Sequence, residues 1–257
     1  METVQFMVLD RQPSFRSRIR TLPESPVLVW LASYPRSGNT LARQVLRQVF
    51  GLESYSQYND PKDIGERPDV AAAVGHVRFE SPWPEFIAAA HEAAEPVVVK
   101  THHPPQDDAA AIYVVRDGRA AVVSFYHLLH DLRRRDDVTI ERVIDGDTPF
   151  GSWSDHLDAW QPFDRPRTLL VRFEDLLAKP AEVVAAMAGL LGVAPKGTWR
   201  NQTDRLQGMF PEFFRGGSDA RNIGELSAPQ AALFWGRHAG WMERLGYRRE
   251  DDGAAAL

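Results

Sequence analysis

Four short stretches gather the side chains able to do chemistry on a small anion. The first is Ser33-Tyr-Pro-Arg-Ser-Gly-Asn-Thr40. Arg36 brings a fixed positive charge, Ser37, Asn39 and Thr40 bring donors, and Gly38 lets the main chain approach an oxygen closely. Backbone amides at a helix start would complete a phosphate site; a polar turn that merely contains a glycine is the plainer alternative. The second, Lys100-Thr-His-His-Pro104, sets a cation two residues ahead of His102. An imidazole that titrates near neutrality suits proton abstraction from an attacking hydroxyl or amine. The third carries Arg116 and Ser124, and the fourth is Phe213-Phe-Arg-Gly-Gly217 with Arg215 beside two aromatic faces. A nucleoside triphosphatase loop would read G-x-x-x-x-G-K-[ST]. Here Ser33 stands at the first glycine and Asn39 at the lysine.

Each stretch lies where one element gives way to the next. Val27 to Ala32 is a nearly all-apolar run, the pattern of a strand covered on both faces. Leu41, Val45, Leu46 and Val49 then fall at helical spacing. Further buried-type strands are expected at 97–100, 112–115 and 168–171, and helices at 85–94, 153–160, 180–191 and 228–245. Asp117 takes the N-cap position of a helix that contains Ser124. Strands alternating with helices predict an α/β fold, a three-layer α/β/α arrangement with a central parallel sheet and a P-loop-like first loop. One domain over 1–257 is expected, with 1–26 an irregular lead-in and 52–95 and 130–160 as lids. The segment 133–152 reads as a surface loop.

Composition narrows the chemistry by exclusion. The 257 residues hold 30 Lys and Arg against 35 Asp and Glu, a formal net charge of −5. That counts against a broad nucleic-acid surface, although it permits a local basic pocket. There is no cysteine, so thiolate metal sites, disulfides and cysteine nucleophiles are absent. Eight histidines show no HExxH spacing, and no metal site is expected. No stretch approaches a membrane span of roughly 20 apolar residues, and a cytoplasmic location is expected.

Tyr34-Pro-Arg-Ser-Gly-Asn-Thr40 resembles the 5′-phosphosulfate loop, Y-P-K-S-G-T-T, of the sulfotransferases that use 3′-phosphoadenosine-5′-phosphosulfate (PAPS). Arg36 and Asn39 are its two departures. Lys100-Thr-His-His-Pro104 resembles the K-T-H-x-P segment of that family, and Arg116 with Ser124 its 3′-phosphate element. Phe213-Phe-Arg-Gly-Gly217 resembles its F-R-K-G loop, with Gly216 for the lysine, and Val171-Arg-Phe-Glu-Asp175 resembles a further shared segment without a catalytic role. The resemblance implies that His102 is the general base, with Lys100 and Arg36 stabilising charge on the sulfuryl and bridging oxygens. It implies donor binding by Arg36, Ser37, Gly38, Asn39, Thr40, Leu41, Arg116, Ser124, Phe214, Arg215, Gly216 and Gly217. The acceptor would be a small molecule, lipid or glycan, with no metal and no nucleic acid. A P-loop small-molecule kinase and an inactive nucleotide-binding homologue are the alternatives. The family's dimer motif, K-x-x-x-T-V-x-x-x-E, is absent, which leaves the oligomeric state open.

Overall fold

Strand β1 (Leu28–Ala32) has no polar face, and every residue in it is buried. Successive side chains of a strand point to opposite faces. Leu28, Trp30 and Ala32 accordingly enter one core and Val29 and Leu31 another. Such a strand belongs in the middle of a parallel sheet with helices on both sides. A computed structural model, which describes residues 27–61, 64–214 and 219–249, has that arrangement. Strand β1 lies between β3 (Val97–Thr101) and β4 (Ala110–Val115) and runs parallel to both. Outside β4 comes β5 (Thr168–Arg172), and outside β3 comes β2 (Ser54–Ser56), giving the order β2-β3-β1-β4-β5.

The helices divide between the two faces as the alternation in β1 requires. On the Trp30 side lie α4 (Gly118–His127), α5 (Ile140–Asp145), α6 (Trp153–Trp160) and α10 (Ala228–Arg244). On the Leu31 side lie α1 (Asn39–Val45), which continues as a wide turn through Phe50, with α7 (Phe173–Ala178) and α8 (Pro180–Leu191). A third, smaller cluster joins Ile64, α2 (Pro68–Val74), α9 (Thr203–Met209) and Phe213.

The expected helices 153–160 and 180–191 have those bounds. Asp117 caps α4, its carboxylate accepting the Arg119 amide at 2.9 Å. Besides short helices such as α2, α7 and α9, which were not expected, three elements differ instructively from expectation. Strand β2 was hidden because Ser-Tyr-Ser is short and polar, and it is held by backbone pairing and by Arg43 rather than by an apolar run. Helix α3 (Trp83–His91) starts earlier than expected, because Pro84 is tolerated in a first turn where its missing N–H costs nothing. Helix α5 lies inside the stretch expected to be loop; Thr139 caps it and Val143 and Ile144 bury its inner face.

Helices α1 and α4 leave neighbouring strands toward opposite faces, which opens a crevice beyond the carboxyl ends of β1, β3 and β4. Open parallel sheets bind ligands at such a switch point. The lead-in 1–26 lies outside the described residues. Among the described residues, no helix is long and apolar enough to cross a membrane.

Candidate active site

The crevice holds a cavity of about 720 Å³. Arg36, Gly38, Asn39 and Thr40 of the β1–α1 loop line it with Leu41, Lys100, His102, Arg116, Ser124 and Phe214, whereas Ser37 is buried behind the surface of the cavity. The tertiary structure thus brings the first three sequence stretches, and the front of the fourth, to one place. Arg215, Gly216 and Gly217 lie outside the described residues.

The loop is built to present amides. Leu41 and Ala42 are the first to donate back to the Gly38 carbonyl, at 3.0 and 3.1 Å. Earlier amides at a helix start have no carbonyl within the helix to take them. Gly38 has φ 103°, and a Cβ there would come within 2.6 Å of the Phe173 ring. Arg36 also has a left-handed backbone, φ 66°. The Ser37 hydroxyl is buried without a partner, an orphan that an anionic oxygen would satisfy. Asn39 takes another part: its amide donates to the Leu31 carbonyl at 3.1 Å and to Ser33 Oγ at 3.3 Å. It braces the loop against β1.

Two arginines span the end of the cavity beside this loop. Arg36 donates through Nε to Ser124 Oγ at 3.0 Å and through its terminal nitrogen to the Phe213 carbonyl at 2.8 Å. Arg116 donates to the Arg36 carbonyl at 3.3 Å, pairs with Asp219, and lies over the Phe173 ring at 4.4 Å. Ser124 therefore faces back from α4, as its spacing from Arg116 implied, and in this state it accepts from Arg36.

At the other end, His102 Nδ1 lies 2.7 Å from the Ser33 carbonyl oxygen. A carbonyl only accepts, so Nδ1 carries the proton and Nε2 is left with its lone pair. Burial first, and then the charge of Lys100, lower the His102 pKa well below its ordinary 6.5. The ring therefore stays neutral and basic at Nε2. Lys100 Nζ bonds Asp60 Oδ1 at 2.9 Å and sits 5.0 Å from the centre of the Tyr58 ring. Phe150 stands edge-on to His102 at 5.5 Å, and Phe125, Leu128 and Leu129 continue an apolar wall.

Residues 26–209 match the sulfotransferase domain family. The chain belongs to that family. Among the curated sulfotransferases it matches, bovine sulfotransferase 1E1 is 23% identical over 184 residues, 66% of this chain and 59% of that protein. Rat sulfotransferase 1A1 is 27% identical over 177 residues, 63% of this chain and 58% of that protein. The matched stretch is thus less than two thirds of these relatives' length. The sulfotransferase fold is also seen in the crystal structure of mouse sulfotransferase SULT7A1 complexed with PAP, with a TM-score of 0.57, 17% identity and coverage of 88% of this chain and 86% of that one. Retinol dehydratase in complex with androsterone and inactive cofactor PAP gives a TM-score of 0.57 at 18% identity, covering 91% and 86%.

Sequence reasoning missed Tyr58, Asp60 and Arg43, which fix Lys100 and His102. Nothing in Gln57-Tyr-Asn-Asp60 has a telling spacing, since the segment works by folding against β3. Among the described residues of the region 52–95 expected as a lid, the cavity takes only Tyr58, Asp60, Pro61 and Ile64. Phe79, Trp83 and Phe86 stack among themselves, with Trp83 against Trp30, and Trp153 and Trp160 are core residues. Of the Arg133–Arg135 run, Arg133 alone reaches the cavity, and Arg135 pairs with Asp137.

Proposed function

We propose that this chain transfers the sulfuryl group of PAPS to a hydroxyl or amine of an acceptor whose reacting end is apolar. The observation that carries the reading is the His102 tautomer: a neutral base with a free Nε2, in the same cavity as Lys100, Arg36 and an amide-lined loop. Membership of the family and the PAP bound in two structures of this fold support the donor. The residues present suit it, since Arg36, Gly38, Asn39, Thr40, Arg116 and Ser124 line one cavity and the buried Ser37 hydroxyl of the same loop lacks a partner.

When bound, PAPS supplies an activated sulfuryl group whose departure leaves adenosine 3′,5′-bisphosphate (PAP). The loop amides and Ser37 would hold the 5′ end, and Arg116, Ser124 and Arg215 the 3′-phosphate. His102 Nε2 accepts the proton of the attacking hydroxyl. Lys100 and Arg36 oppose the negative charge that grows on oxygen, an interaction worth most where water is excluded. Tyr58, Phe125, Leu128, Leu129 and Phe150 give the acceptor an apolar, partly aromatic wall. A phenol or lipid alcohol fits that wall better than a glycan.

A panel of phenols, alcohols, amines and oligosaccharides incubated with sulfur-labelled PAPS, read by mass, tests the acceptor class. Transfer to the oligosaccharides alone would overturn the apolar reading. His102→Ala is expected to stop turnover while PAP binding persists. Arg116→Ala is expected to weaken PAP binding by about 1.5–3 kcal/mol, roughly ten- to a hundredfold. Calorimetry with PAP separates them, and lost affinity in the His102 variant would sink the assignment of that base.

A further inference from the structure

The turn after β2 grips the catalytic end of β3 at every residue. The Gln57 amide donates to the Lys100 carbonyl at 3.0 Å. Thr101 Oγ1 donates to Gln57 Oε1 at 2.6 Å, and the His102 amide to the Tyr58 hydroxyl at 2.8 Å. The Tyr58 ring lies nearly parallel to the His102 ring, with centroids 6.1 Å apart and an angle of 16°. The Lys100 ammonium reaches Asp60.

Asp60 is 5% exposed and Arg43, also beside it, is 1% exposed. The Asp60 carboxylate also accepts from Ser56 Oγ at 2.8 Å. Burial alone would raise the Asp60 pKa, but Lys100 and Arg43 overcome this and hold the carboxyl well below the usual range. Arg43 is fixed in turn by Ser54 and His76. A buried charge cluster seldom stabilises a fold more than apolar residues of the same volume. The turn also carries consecutive left-handed residues, Asn59 at φ 54° and Asp60 at φ 43°. Its tightness leaves no room at Gly65, where a Cβ would lie 2.4 Å from the Asn59 carbonyl oxygen. Strain and buried charge together, in the wall of a cavity, point to function.

We infer that Asp60 is a positioning residue for the transfer reaction, holding the otherwise flexible Lys100 ammonium against the cavity wall beside His102. The inference rests on the sulfuryl-transfer reading. Lys100 has a long, rotatable stem, and an unpaired ammonium would range over the cavity. Asp60 ties it to one place, and the Tyr58 ring lies beneath it. The cluster of Arg43, Asp60 and Lys100 keeps one net positive charge, which matches an anionic sulfuryl group. The same carboxylate moderates the field of Lys100 on His102. The groups facing His102 are Lys100 from β3, Asp60 and Tyr58 from the β2 turn, and His156 from α6.

The test is Asp60→Asn, read by single-turnover transfer from PAPS to 2-naphthol and by PAP calorimetry. The transfer rate is expected to fall at least about tenfold, with PAP affinity within about twofold. In a Lys100→Met background the same change is expected to cost almost nothing more, because the effect passes through Lys100. The His102 ring, titrated by NMR in the PAP complex, is expected to protonate at lower pH in Asp60→Asn, since a neighbouring negative charge is gone. A transfer rate within about twofold of wild type would overturn the proposal, as would an equal loss in the Lys100→Met background or an unmoved His102 titration. If Asp60→Asn does not fold, Arg43→Met/Asp60→Asn removes the stranded charge along with its partner and is read in the same way. Wild-type protein that fails to bind PAP would instead overturn the sulfuryl-transfer reading, and the His102 titration without PAP would still report on Asp60.

Discussion

His102 shows how one hydrogen bond decides which ring nitrogen is left able to accept a proton. Its Nδ1 proton is committed to the Ser33 carbonyl, and burial with Lys100 nearby keeps the ring neutral. A base must be unprotonated to act, so activity is lost on the acid side only as pH falls through the lowered His102 pKa. A profile of kcat at saturating PAPS is expected to stay level down through pH 6.5, with its acid limb below that; a limb at or above 6.5 would contradict the environment described. At this scale the sequence was informative where chemistry demands a residue type at a fixed offset, as for His102 after Lys100 and Ser124 after Arg116. It was silent on Asp60 and Tyr58, whose value lies in contacts with residues some forty positions away. It also offered Asn39 as a ligand donor, whereas the fold spends that amide on β1.

At the scale of elements, the β1–α1 loop is fixed from outside as much as from within. Phe173, the first residue of α7, closes against Gly38 and underlies Arg116. Gly38→Ala places a Cβ into that ring and keeps an L-residue at φ 103°, a conformation that side chains rarely adopt. A destabilisation of about 1–3 kcal/mol is expected, with loss of PAP binding. Urea melts and PAP calorimetry measure the two effects. Adding Phe173→Ala is expected to relieve the clash but not the backbone strain, so recovery should be partial; full recovery would show that the clash alone matters. Strands β1, β3 and β4 were legible because burial on both faces demands apolar runs, and β5 because Leu169 to Val171 keep an apolar centre beside β4. Strand β2 was not, because a short edge strand needs only its backbone ladder and two serines held by polar partners.

At the scale of the molecule, three buried histidines besides His102 tie stability to pH. Burial lowers the pKa of His156 to about 3 and that of His238 to about 4; burial followed by Arg43 lowers His76 to about 4. Each is neutral in the fold and titrates near 6.5 when unfolded, so between these values the unfolded chain binds more protons. The stabilising contribution is complete above about 6.5 and disappears as pH falls toward 4, by up to about 1.4 kcal/mol per pH unit for each histidine. Urea midpoints measured from pH 7.5 to 4.5 are expected to fall progressively below 6.5. His238→Gln removes one of the three, which is held by Ser154 and the Ile144 carbonyl, and should flatten that decline. An unchanged slope would remove His238 from the account.

The sequence by itself determined the alternation of apolar strands with helices, the parallel sheet, and the residue types at the ends of β1, β3 and β4. These follow from local periodicity and from chemistry that tolerates few substitutes. Only the tertiary structure decided which nitrogen of His102 keeps its lone pair, which neighbour holds Lys100, and which aromatics face the cavity rather than the core. Those outcomes depend on burial and on hydrogen bonds between segments far apart in the chain, and such contacts leave no period or spacing in the sequence to read.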